Sequence, residues 1–261
     1  MFIKLSLLLR FTRQDMIDRH ASAALGALWT FILPLSQILI FTLIFSNVMG
    51  LRLMSLGLED LGQYSYSVYL VIGLLAWLAF SNTISRVTQV YQDKAGLIHK
   101  VHLPLLGLPL YIPLSELIYY AIGMAFFTLF LFFIGFQWTW YWLWLVPLMA
   151  LLFLLAYALG LLFALLSVFI RDTRDLVGIG LQLLFWMTPI VYVMDLLPAR
   201  WHWIFQFNPL YHLINALRSA LLVGTMPPLQ PLIMIFLMAV ALLSGALWLG
   251  RRLEKDLRDF I

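Results

Sequence analysis

The 261 residues include no cysteine. Disulfides, thiolate metal sites and cysteine nucleophiles are therefore excluded. Charge is scarce too: 16 Lys+Arg and 12 Asp+Glu make up 11% of the chain, against roughly 25% in a soluble domain. So few polar groups cannot cover the surface of a water-soluble globule of this size. A phosphate loop needs Gly-Lys, and the four lysines follow Ile3, Asp93, His99 and Glu254. The chain cannot bind ATP in that way. No H-E-x-x-H motif occurs either. The N-terminal apolar stretch is broken by Lys4, Arg10, Arg13, Asp15, Asp18 and Arg19, which does not fit a cleavable signal.

What the chain does have is apolar length. Apolar residues are 64% of it and aromatics 16%. A bilayer is the solvent that fits, and there the backbone must form helices or a closed barrel. Barrel strands need about 10 residues of alternating polarity. Here the uncharged runs cover 32 residues after Arg19, 25 after Asp60, 54 after Glu116, 19 after Asp175 and 32 after Arg218. One membrane span needs about 20. The predicted fold is an all-α membrane protein forming a single transmembrane domain over 1–261. Its six spans lie near 26–49, 66–85, 108–134, 142–167, 176–194 and 229–250.

Orientation follows from Lys and Arg. Segments 1–25, 86–107 and 168–175 and the tail after 250 hold 13 of the 16, while Arg52, Arg200 and Arg218 lie on the other side. The positive-inside rule places both termini in the cytoplasm. The excess positive charge is explained by topology, and nucleic-acid binding is not needed to account for it. The tryptophans between Gly135 and Tyr141 fit an interfacial aromatic belt. In the N-terminal segment Phe2, Leu5, Leu9 and Met16 share a helical face, opposite Arg10, Gln14 and Asp18, and Leu7 and Phe11 spoil the pattern. That suits a helix lying in the inner interface, or an extension of the first span. Segment 195–228 is apolar and aromatic, and Asn208-Pro209 divides it. Two short helices dipping into the outer leaflet satisfy that pattern.

Three features carry candidate chemistry. Glu116 is the single acid within a predicted span, and intramembrane acids are functional candidates. A proton relay and a structural hydrogen bond both fit it. His99 and His102 sit three apart in a basic segment, whose positive charge opposes a metal cation there. Gln89–Val101 predicts a short cytoplasmic helix ended by Pro104. Its apolar ridge of Leu97, Ile98 and Val101 is flanked by Asp93, Lys94 and Lys100. Such a ridge either inserts into a partner's groove or rests on the inner ends of the spans.

Four stretches together resemble a known family. They are His20–Trp29 with Pro34, and Gly96–Pro104, which follows a Leu-Ile-Lys-Lys-Val-x-Phe-Pro pattern. Then come Val168–Asp172 followed by Leu181-Gln182, Phe185-Trp186 and Thr188-Pro189-Ile190, and Asn208-Pro209-Leu210 with Arg218 downstream. In order and spacing they resemble the membrane subunit of type-2 ABC exporters, in the branch moving O-antigen, capsular and teichoic-acid polymers. His99, Leu103 and Thr173 depart from the commoner residues of that branch.

The resemblance implies a channel-forming permease of the bacterial inner membrane. It implies a homodimer with two separate ATPase subunits, which bind ATP and magnesium, and no cofactor on this chain. The cargo would be a lipid-linked polysaccharide. The helix near 91–100 would couple to the ATPase, and Trp201, Asn208, Pro209 and Arg218 would belong to outer gate helices. Tyr64, Tyr66, Trp186 and Tyr192 would stack on sugar faces, or serve ordinary packing. Arg171 and Asp172, at an inner turn, would pair with each other or with the partner, or simply be solvated. A type-2 exporter of another cargo, such as a lipid or a drug, and a proton-coupled carrier using Glu116 are the rival readings.

Overall fold

The computed structural model describes residues 5–19, 65–101, 104–194 and 198–260, and single positions between 28 and 40. The first predicted span, 26–49, lies outside the described residues except for those positions, and Tyr64 lies outside them altogether. Among the described residues every regular element is helical. Helix α1 is Leu5–Asp18, α2 Ser65–Asp93, α3 Ala95–Lys100, α4 Tyr111–Phe133 and α5 Leu145–Phe169. Then follow α6 Thr173–Trp186, α7 His202–Gln206, α8 Pro209–Arg218, α9 Leu229–Arg252 and α10 Glu254–Phe260.

Four stretches are long and apolar enough to cross a membrane: Tyr66–Asp93, Leu108–Phe133, Trp140–Phe169 and Leu229–Arg252. They correspond to the second, third, fourth and sixth predicted spans. The fifth differs. Predicted over 176–194, it is a helix of 14 residues ending at Trp186. At 1.5 Å per residue that is about 21 Å, short of a hydrocarbon core of about 30 Å. The cause is Pro189, which lacks an N–H and steers Thr188 away from helical geometry.

Helix α2 is the central element. Its most apolar window is 83% buried, against 33% in α4 and 22% in α9. The outer faces of α4 and α9 expose Phe132, Phe133, Ile233, Phe236 and Trp248, as lipid-facing helices do. Apolar burial gives little drive to join helices inside lipid, so close van der Waals fit has to do it. Helix α5 supplies that fit with Ala156, Gly160 and Ala164 at four-residue spacing, all buried. A Cβ at Gly160 would stand 2.9 Å from Cβ of Val87 on α2. Only hydrogen fits between the two helices there.

At the inner end α2 does not yield a separate helix over Gln89–Val101. Gln89–Asp93 continue α2, the chain breaks at Lys94, and α3 holds only Ala95–Lys100. Val101 is extended, and Pro104 bars further helix. Helix α1 packs on the inner cluster through Leu7, Leu8 and Phe11, with Thr12 buried. Leu5 and Leu9 point outward, 69% and 56% exposed. The residues that broke the predicted amphipathic pattern are thus the ones that hold α1 to the protein.

Candidate functional site

Two polar constellations stand at opposite ends of the helices. The inner one surrounds α3. Ile98 is buried in the inner core cluster with Val87, Tyr91, Leu105 and Tyr111, and Leu97 packs against that cluster. Ile98 therefore anchors α3 to its own chain and is not available as a docking ridge. The exposed face of α3 consists of Gly96, His99 and Lys100, continued by Val101; Asp93 is exposed and Lys94 half-buried. Beside α3 lies a pocket of about 600 Å³ lined by Gln92, Ala95, Val168, Phe169, Arg171, Arg174 and Phe260. Arg171 and Asp172 are exposed, and no ion pair joins the two among the described residues.

Glu116 is 2% exposed and is not alone. Its Oε1 accepts from Arg86 Nη1 at 2.7 Å and from Nη2 of Arg19. Arg86 Nη2 in turn donates to Oδ1 of Asp15 on α1. The guanidinium of Arg19 also lies 4.1 Å from the Tyr119 ring centroid. The intramembrane acid is thus the centre of an alternating chain, Asp15–Arg86–Glu116–Arg19. Its engagement by two guanidinium groups fits structural pairing and gives a proton relay no free carboxylate. Asp15, Arg19 and Arg86 escape the sequence reading as partners, because positive-inside counting already accounts for the two arginines. The signal was present in the acid itself: a carboxylate inside a span needs a cation nearby.

The outer constellation is built on the end of α6. Where Pro189 stops the helix, the carbonyls of 187–191 lose their helical partners, and lipid offers none. The backbone N–H of Ile190 takes the Thr188 carbonyl at 2.7 Å, and side chains take the other four. Asn208 Nδ2 donates to Met187 O at 3.1 Å and to Thr188 Oγ1 at 2.8 Å. Arg218 donates to Pro189 O at 2.8 Å, Ile190 O at 3.1 Å and, through Nε, Tyr69 O at 3.3 Å. Tyr66 donates its hydroxyl to Val191 O. Asn208 also caps α8, its Oδ1 accepting from the backbone N–H of Leu210 at 2.9 Å. Pro209 occupies the first turn of that helix, where its missing N–H costs nothing.

The guanidinium carbon of Arg218 lies 3.4 Å from the Tyr69 ring centroid, a cation–π contact. A Cβ at Gly73 would stand 2.7 Å from Arg218 Nη2, so the glycine makes room for the cation. Thr188-Pro189-Ile190, Asn208-Pro209 and Arg218, separate motifs in the sequence, therefore form one buried cluster. Tyr69 and Gly73, which sequence reasoning passed over, complete it.

The remaining candidates divide. Tyr66 is fully buried within the chain. Trp186 is 61% exposed, and Tyr192, half-buried, donates its hydroxyl to Trp186 O at 2.6 Å. Trp201 is exposed on the short 3₁₀ turn that leads into α7.

The sequence profile described as ABC-2 type transporter matches residues 7–222, which takes in both constellations. Among curated proteins, the chain is 29% identical over 221 residues to an O-antigen export system permease protein RfbA of Klebsiella pneumoniae, covering 84% of this chain and 82% of that protein. A namesake from Myxococcus xanthus is 25% identical over 244 residues, covering 92% and 89%. With most of its length matched, and with helices built to cross a bilayer, the chain belongs to the ABC-2 type transporter family of multi-pass membrane proteins.

Proposed function

We propose that this chain is the channel-forming permease of an ATP-driven exporter that moves O-antigen polysaccharide, in lipid-linked form, across the bacterial inner membrane. The observation that carries this reading is the near full-length similarity to relatives named O-antigen export system permease protein. Two copies would pair with two separate ATPase subunits. Six crossings per copy fit the charge pattern: a first span over 26–49, and a fifth made of α6 and the unwound 187–194.

Helix α3 is then the coupling helix. Closure of the ATPase dimer on ATP shifts α3. Because Ile98 and Leu97 root α3 in the inner core, that shift becomes a rigid-body movement of the spans. ATP biases conformations, and no covalent chemistry takes place on this chain. At the other end α7 and α8 are the gate helices, held in place by Asn208 and Arg218. Trp186, Trp201 and Tyr192 are the accessible aromatic faces for sugar stacking.

The burial pattern selects the test. Ile98→Asp would place a charge in the inner core and unfold that region, so it cannot report docking. His99→Asp with Lys100→Asp alters exposed groups only. Purified in mild detergent with its ATPase, the unaltered chain should retain the ATPase in stoichiometric amount. The double variant should insert normally and lose the ATPase. Equal retention by the variant would overturn the placement of the docking face. Recovery of the unaltered chain without any ATPase would overturn the exporter reading.

A further inference from the structure

We propose that Arg86 is a positioning residue for coupling: by bridging Asp15 and Glu116 it fastens helix α1 to α2 and α4, so that a displacement of α3 carries α1 with it. The inference rests on the exporter reading above and adds a route by which movement reaches the N-terminal helix.

The geometry points to Arg86 for three reasons. Its two terminal nitrogens serve two different elements, Nη2 binding Asp15 on α1 and Nη1 binding Glu116 on α4. A guanidinium fork can hold two carboxylates at fixed directions, which a lysine ammonium does not reproduce. Next, Arg86 lies two turns before the end of α2, the helix that α3 continues after Lys94. Finally, α1 and α3 share one apolar floor: Leu7, Leu8 and Phe11 from α1 and Ile98 from α3 all pack on the cluster around Tyr91 and Tyr111.

Apolar contacts alone would let α1 slide or roll along that floor. The charges fix its register, and Glu116, nearly fully buried, makes separation costly because an unpaired buried charge is strongly unfavourable. Arg19, the last described residue before the first predicted span, binds the same Oε1. The chain of four charges balances to zero, so it draws no counter-ion that would loosen it. Asp15 has one further oxygen, Oδ2, which is buried and unbonded, so on the Asp15 side the fastening depends on Arg86.

The absence of native cysteine makes the test direct. The ring centroids of Phe11 on α1 and Tyr111 on α4 are 5.8 Å apart, so the two positions face each other. Phe11→Cys with Tyr111→Cys provides the only thiol pair in the chain. A short bis-methanethiosulfonate spacer bridges it through a disulfide at each thiol, because ring contact does not set the Cβ spacing of a direct disulfide. Asp15→Asn removes the charge of the ion pair to α1, leaving only a weaker neutral acceptor for Arg86, and keeps both pairs to Glu116 in place, so it is the variant least able to disturb folding. Arg86→Lys is the second variant.

In the complex with its ATPase, both should leave ATP hydrolysis unchanged and lower export about tenfold, within the range of coupling factors between linked sites. Cross-linking of the Cys pair should slow in the Asp15→Asn background. Once formed, the cross-link should restore export, a rescue that a merely destabilised protein would not show. Export by both variants at the rate of the unaltered chain would overturn the proposal, and so would a completed cross-link that leaves export low. Absence of ATP-driven export by the unaltered chain would instead count against the exporter reading. The cross-link yield needs no export and would still decide whether these charges hold α1.

Discussion

Arg218 is a buried cation whose partners are carbonyls rather than a carboxylate. Three main-chain oxygens and one aromatic face replace the water it gave up. This arrangement answers a local problem: Pro189 ends α6 inside the protein, and the freed carbonyls need donors. Removing the donor should cost more than removing an ordinary surface charge, since each buried acceptor left unsatisfied costs about 1–3 kcal/mol. Arg218→Met is therefore predicted to destabilise the chain by about 3 kcal/mol or more, read as a lowered midpoint of denaturation in detergent. Arg218→Lys keeps the charge but loses the fork, and should fall between the two. A Met variant as stable as the unaltered chain would remove Arg218 from this role. Glu116 teaches the same lesson at the inner end: a costly buried charge is legible in one residue, but its partners are not, because Arg86 and Arg19 lie 30 and 97 positions away from it.

Among the elements, the long apolar helices were legible because a hydrophobic run long enough to cross lipid has few other uses. Four of the six predicted spans coincide with described helices of sufficient length. The short α6 was not legible as such, since hydropathy does not register the loss of a hydrogen-bond donor at Pro189. The face of α3 stayed open between two readings for a related reason. An apolar ridge at helical spacing looks the same whether it seeks a partner or its own core, and here Ile98 turns inward. Nor could the sequence assign the neighbour of Ala156, Gly160 and Ala164, because every adjacent helix is apolar. The structure gives that stripe to α2. Gly160→Ala is accordingly predicted to cost about 1–3 kcal/mol, as overpacking does, because the atom it meets is Cβ of Val87 rather than a movable side-chain tip. Gly178, which has open space around it, is the control position. Equal thermal stability of the alanine variants at 160 and 178 would contradict the close α2–α5 contact.

For the whole molecule, the two polar constellations divide the labour. The inner one ties α1, α2, α3 and α4 into a unit beside the exposed basic face of α3. The outer one ties α6, α2 and α8 together at the opposite end of the same central helix. Helix α2 runs between them for 29 residues, about 43 Å at helical rise, and so links the face proposed above for docking to the cluster around Arg218. That mechanical continuity is what an exporter driven by a separate ATPase requires.

The most direct test of this account is the amount of O-antigen polysaccharide at the outer surface of cells in which this chain is deleted and then restored. Deletion should abolish surface polymer and leave it accumulated inside the inner membrane. The unaltered chain should restore display, and the His99→Asp, Lys100→Asp variant should not. Undiminished surface polymer in the deletion strain would contradict the account.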